Sequence, residues 1–163
     1  MENDQIVSRM NSYLHTSANM LAEWLGKLLP KTSADWWEVS VIDKLSYNQR
    51  ETAKSKGFTC LADFDLAALL RIADKSWYTM REVAYLPTKE RECIRDMMRV
   101  RNNWAHCSAV LPGKDTIIAD LDTLHQFFEQ MEADDKLVSE VDRMIEEVKS
   151  PSTVDFAVLR SEE

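Results

Sequence analysis

Leu66-Ala67-Ala68-Leu69-Leu70-Arg71-Ile72-Ala73 lies in the most hydrophobic stretch of the chain and contains no proline or glycine. Leu66, Leu69, Leu70, Ala73, Trp77, Met80 and Ala84 recur at helical spacing and share one wide face. The pattern predicts a central helix from about Leu61 to Leu86, ended by Pro87, because proline disfavours helical geometry in the residue before it. The segments on either side have the same period.

Upstream, Ile6, Met10, Leu14, Leu21, Leu25 and Leu28 predict a helix from about Asn3 to Leu29, stopped by Pro30. Ser33 is placed to cap a second helix through Trp36, Trp37, Val41, Ile42 and Leu45. That helix is expected to continue through the polar run Ser46 to Lys56, with Gly57 in its C-terminal turn. Downstream, Thr88 is placed to cap a helix with the buried stripe Cys93, Ile94, Met97, Val100 and Trp104. A loop is expected from Cys107 to Gly113, then a helix capped by Asp115 and a last helix through Leu137, Val141, Met144, Ile145 and Val148.

Composition agrees: only 3 Gly and 4 Pro occur in 163 residues, too few turn residues for many short strands. The expected fold is all-α, an antiparallel bundle of about five or six helices. Residues 1–149 read as one domain and 150–163 as a flexible tail or linker, so the chain is expected to be a piece of a longer protein or a whole small one.

The formal net charge of −8 argues against broad attachment to nucleic acid or anionic membrane. Between Lys89 and Arg101 the balance reverses, with Lys89, Arg91, Arg95, Arg99 and Arg101 against Glu90, Glu92 and Asp96. Cys60, Cys93 and Cys107 have no paired spacing, so neither a disulfide framework nor a metal site is indicated. No apolar run approaches membrane-spanning length, and a soluble, cytoplasmic protein without membrane partners is expected.

The basic excess leads into Met97-Met98-Arg99-Val100-Arg101-Asn102-Asn103-Trp104-Ala105-His106, where a fixed cation precedes a titratable imidazole. Five positions on an ideal helix place Arg101 and His106 about 140° apart. They can share a site only if the helix loosens near Ala105, if the arginine curls around the axis, or if a second copy of the chain supplies the other half. Asn102 and His106 do share a face.

The run Arg101-Asn102-Asn103-Trp104-Ala105-His106 resembles the Arg-x-x-x-x-His motif of the HEPN superfamily of helical domains. Asp63-Phe64-Asp65-Leu66-Ala67-Ala68-Leu69-Leu70-Arg71-Ile72, with Trp77 following, fits the Swt-like branch, as does the motif itself. The similarity spans roughly residues 10 to 130. It implies a helical bundle that forms a homodimer through the motif helix and, in many members, a metal-independent endoribonuclease with no cofactor. Members occur in phage defence and RNA quality control, fused to or associated with an ATPase or helicase, and some are toxins neutralised by a nucleotidyltransferase antitoxin. Other members are noncatalytic modules for dimerisation or RNA binding.

The residue types suit that chemistry. A base can take the proton of a ribose 2′-hydroxyl, which then attacks the adjacent phosphorus, while a cation offsets charge growing on the phosphoryl oxygens. An imidazole such as that of His106 can serve as base or acid, and the fork of Arg101 matches a phosphate. Asn102 is the expected orienting residue, and Arg95, Arg99 and Asn103 are expected RNA contacts. His15 and His125 lack partners at metal spacing and read as structural or surface groups. Trp104 reads as core or dimer interface, and Cys107 is discounted because adjacent helical residues do not face each other.

Overall fold

In the computed structural model, which describes residues 1–107 and 110–150, helix α1 (Asn3–Leu28) starts where the backbone N–H of Glu2 donates to Gln5 Oε1 and stops ahead of Pro30. The tail expected over 150–163 lies, apart from Ser150, outside the described residues, and so do positions 108 and 109 of the expected loop. Among the described residues there are seven α-helices and no strand, slightly more helices than expected.

The segment expected as a second helix is irregular instead. Trp37–Val41 forms a single wide turn of π-helix and Ile42–Lys44 a turn of 3₁₀-helix, and Ser33 caps neither. Bulky Trp36 and Trp37 and β-branched Val39, Val41 and Ile42 are poor helix formers. The carbonyls that an α-helix would have paired are met from elsewhere: Ser76 donates to Ser40 O at 2.9 Å and Arg71 Nε to Lys44 O at 2.7 Å. Trp36 and Trp37 are both half-buried, their rings edge-to-face at 5.7 Å.

Helix α2 (Tyr47–Lys56) is separate, because Ser46 and Gln49 make a reciprocal capping box at its start. Gly57, at φ 66°, supplies the left-handed residue that ends it.

The central segment is also divided. A 3₁₀ turn (Leu61–Asp63) precedes α3 (Leu66–Lys75), which Asp65 caps through the Ala68 N–H. Ser76, at φ −98° and ψ 7°, breaks the helix, and α4 (Trp77–Arg81) ends five residues before Leu86. One non-helical residue barely rotates the apolar face, so Trp77 and Met80 remain fully buried and the sequence period runs through the break.

Pro87 precedes α5 (Thr88–Ala105), with Thr88 as its first helical residue rather than its cap. Gly113 likewise takes the capping position of α6 (Lys114–Gln130), leaving Asp115 in the first turn, where a negative charge suits the helix dipole. Helix α7 (Asp135–Lys149) follows a short turn after α6 and packs on it, and α6 packs on α5. Helix α3 lies against both α1 and α5. Leu25, Leu70, Ile72, Ile94, Phe127 and Phe128 close the core between them, each side chain contributing roughly 1.5–3 kcal/mol by leaving water.

His125 joins α6 to α7: its Nε2 lies 2.6 Å from Glu129 Oε1 and its Nδ1 2.6 Å from Asp142 Oδ1, the second contact being an ion pair not aligned as a hydrogen bond. Burial alone would lower the imidazole pKa, but the Glu129 hydrogen bond and the charges of Asp142 and Glu129 outweigh it and raise the value. A raised folded pKa means that the stabilisation is complete below the unfolded value of about 6.5 and is lost as pH rises through the folded value. The stability advantage of the wild type over His125→Gln in thermal melts is therefore expected to shrink as pH rises. Because Glu129 and Asp142 are more than half exposed, salt is expected to shrink it too.

Candidate functional site

Helix α5 is divided lengthwise. Cys93, Ile94, Met97, Val100 and Trp104 face the core, and burial pushes the Cys93 thiol up to about 12. In its last turn, Asn102 and His106 lie on the side away from this stripe and are exposed, as is Ala105, while Arg101 is half-exposed at the edge of the stripe, beside Trp104.

The last turn is fixed from inside by Asp120 of α6, a carboxylate with 1% exposure. Trp104 Nε1 donates to its Oδ2 at 2.8 Å, and Asn103 Nδ2 lies 3.3 and 3.1 Å from its two oxygens. A buried carboxylate needs such donors, and here both come from the motif. The signal available in the sequence was that Asp120 stands on the apolar face of α6, three residues after Ile117 and four before Leu124.

Beyond Trp104 the helix loosens. Ala105 is the last helical residue, and His106, at φ −119° and ψ 15°, has left α-helical geometry. The imidazole is exposed and has no hydrogen-bond or ionic partner among the described residues.

Arg101 has no carboxylate partner among the described residues either; its one polar contact is Nη1 donating to Asn102 Oδ1 at 3.4 Å. Asp96, a potential competitor for it, lies 3.3 Å from Arg99 instead. The guanidinium borders two open grooves. One, of about 420 Å³, lies between α1, the start of α3 and α5, and includes His15, Asn19 and Trp104. The other, of about 350 Å³, lies between α2, α3 and α5, and includes Arg71, Lys75 and Asn102. His106 lines neither groove, so the structure brings Arg101 and Asn102 together without adding the imidazole.

The three expected RNA contacts all have partners within the chain. Arg95 Nε lies 3.0 Å from Asp74 Oδ1 across to α3, Arg99 Nη2 donates to Thr123 of α6 at 3.2 Å, and Asn103 holds Asp120. The sequence reading missed Arg71 and Lys75, whose place beside Arg101 depends on how α3 and α5 pack. Cys107 Sγ turns to Val110 O, 3.4 Å away. No group of three or more His, Cys, Asp or Glu side chains gathers at metal-binding distance among the described residues, and none of their helices is long and apolar enough to cross a membrane.

Residues 13–132 match the family described as Swt1-like HEPN, a span that contains α1 from Tyr13 onward, both grooves and the whole of α5. The chain belongs to the Swt1-like HEPN family. HEPN domains are RNase-like or nucleotide-binding modules, and the all-α architecture is that of the family. No curated protein and no solved structure matches the chain. Within this HEPN domain, the Arg-x-x-x-x-His motif occupies the final turn of α5 and the residue that caps it.

Proposed function

We propose that this domain is a metal-independent endoribonuclease in which His106 moves the proton of a ribose 2′-hydroxyl and Arg101 offsets charge on the attacked phosphate. The observation that carries the reading is the state of Arg101. It is a cation bordering two open grooves with no carboxylate partner among the described residues, five residues before an exposed imidazole at a loosened helix end. Asn102, accepting from Arg101, steadies the fork. As the 2′-oxygen bonds to phosphorus the P–O5′ bond breaks, and the imidazolium that took the 2′ proton returns a proton to the leaving 5′-oxygen.

Because His106 lines neither groove beside Arg101 in a single chain, the complete site is assigned to a homodimer in which the motif helices of two copies face one another. The biological setting fitting such an activity is phage defence or RNA quality control in the cytoplasm, with an ATPase, helicase or antitoxin partner controlling it. A noncatalytic dimerisation or RNA-binding role is the second reading, favoured by the lone imidazole of the single chain.

The decisive experiment is RNA cleavage in EDTA with analysis of the new ends. The expected products carry a 2′,3′-cyclic phosphate and a 5′-hydroxyl. Loss of all cleavage in EDTA, or equal cutting by the wild type and His106→Ala, would remove the enzymatic reading and leave the module.

A further inference from the structure

The groove between α2, α3 and α5 has a charge unlike that of the whole chain. It includes Arg71 and Lys75 of α3, Arg101 and Asn102 of α5, Gln49 of α2, and one carboxylate, Asp74. That carboxylate is already matched twice. Arg91 Nε and Arg95 Nε both lie 3.0 Å from Asp74 Oδ1, and Arg91 also donates to the Asp74 carbonyl at 3.3 Å. With Asp74 at only 12% side-chain exposure between two guanidinium groups, its charge is spent within the wall.

The three remaining cations have no carboxylate partner among the described residues. Arg71 uses Nε on the Lys44 carbonyl, which fixes the base of its guanidinium and leaves the terminal nitrogens for another acceptor. Lys75 is exposed, and among the described residues it has no ionic partner and Arg101 makes one polar contact, with Asn102. In a protein of net charge −8, three cations gathered on one groove whose single carboxylate is matched by two other arginines make a local attractive field for an anion.

The shape narrows the ligand. The groove is open rather than enclosed, and Arg101 in its lining also borders the second groove toward α1. A linear polyanion can lie along such a surface and pass over Arg101, with amide groups of Gln49 and Asn102 available beside the phosphates.

We propose that Arg71 and Lys75 of α3, together with Arg101 and Asn102, bind the phosphodiester backbone of single-stranded RNA in the groove between α3 and α5. This rests on the RNA-cleaving reading of the motif and extends it: the substrate approaches His106 from the α3 side. It also moves the binding role from Arg99 and Asn103, which are held against α6, to residues of a different helix.

The test measures fluorescence anisotropy of a labelled single-stranded RNA oligonucleotide on the full chain carrying His106→Ala, so that cleavage cannot confuse binding. In that background, Arg71→Gln/Lys75→Gln is expected to weaken binding about tenfold or more and to flatten the logarithmic salt dependence by about 1.4, the contribution of two phosphates on a single strand. The charge-matched control Arg9→Gln/Arg143→Gln, in the cleft between α1 and α7, is expected to weaken it much less. Since Arg71 also supports the Lys44 turn, Lys75→Gln alone and the charge-retaining Arg71→Lys accompany the pair, with thermal melts for each. Lys75→Gln alone is expected to reduce affinity and salt slope without lowering the melting temperature.

Equal losses in the pair and the control would overturn the proposal, as would an unchanged salt slope, no binding of RNA, or a groove that takes ATP but not RNA. Cleavage by the wild type separates the two claims. If the wild type cuts RNA and the α3 variants bind and cut as well as it does, the groove assignment fails while the nuclease stands. If α3-dependent binding occurs without His106-dependent cutting, the nuclease reading fails while the groove remains an RNA site.

Discussion

His106→Ala is expected to lower RNA cleavage by about a hundred- to ten-thousand-fold, the usual range for removing a general acid or base. The exposed imidazole makes no contact on which folding depends, so the melting temperature should stay within about a degree or two of wild type. Arg101→Ala is expected to cost about a hundred- to a thousandfold, the range for one group stabilising charge in the transition state. Arg101→Lys keeps the charge but loses the fork and should recover only part of this.

Mixing the two inactive proteins tests where the site lies. If it combines Arg101 of one copy with His106 of the other, a heterodimer of Arg101→Ala with His106→Ala has one intact site and one doubly damaged site. Random exchange makes about half the dimers mixed, so about a quarter of wild-type activity should return. A site complete within one chain gives no recovery, and that outcome would overturn the shared-site assignment. The measurement is the initial rate of RNA cleavage after subunit exchange, in EDTA.

The largest effect on stability is expected at Trp104. Trp104→Ala removes a ring with 4% exposure and is expected to destabilise the fold by about 3–5 kcal/mol. Trp104→Phe is more informative, because most of the buried area remains and only the Nε1–H that reaches Asp120 at 2.8 Å is lost. Leaving that carboxylate short of a donor is expected to cost about 1–3 kcal/mol, which lowers the melting temperature of a domain of this size by about 2–12 °C. Once Asp120→Ala has removed the acceptor, the same change should cost clearly less. Thermal melts of the four proteins in that cycle give the coupling, and strict additivity would show that the indole and the carboxylate do not support each other.

The fold class was legible because its signal is periodic: Leu66, Leu69, Leu70, Trp77 and Met80 stay on one face even though Ser76 interrupts the helix. The break itself was not legible. It depends on a hydrogen bond from Ser76 to Ser40, 36 positions away, which no local pattern encodes. The irregular turns over Trp37–Val41 and Ile42–Lys44 escaped for the same reason, since Arg71 and Ser76 satisfy their carbonyls from another helix. Gly57 could be placed because a left-handed residue closing a helix is a local requirement.

The candidate site was partly legible in the same sense. Spacing arithmetic separated Arg101 from His106, and the final turn of α5 has the loosened end that the argument required. The inward roles of Asn103 and Trp104 depend on Asp120, and the groove cations Arg71 and Lys75 depend on helix packing, so neither could be read from the motif alone.

The lengthwise division of α5 has a consequence for how such a domain can change over generations. Trp104 and Val100 bear on folding, whereas Asn102 and His106 stand on the other side of the same turn and Arg101 at its exposed edge. Substitutions there can erase or alter chemistry while leaving a folded domain in place. Changes at these positions need not cost the fold, so the same scaffold can be kept and reused for binding.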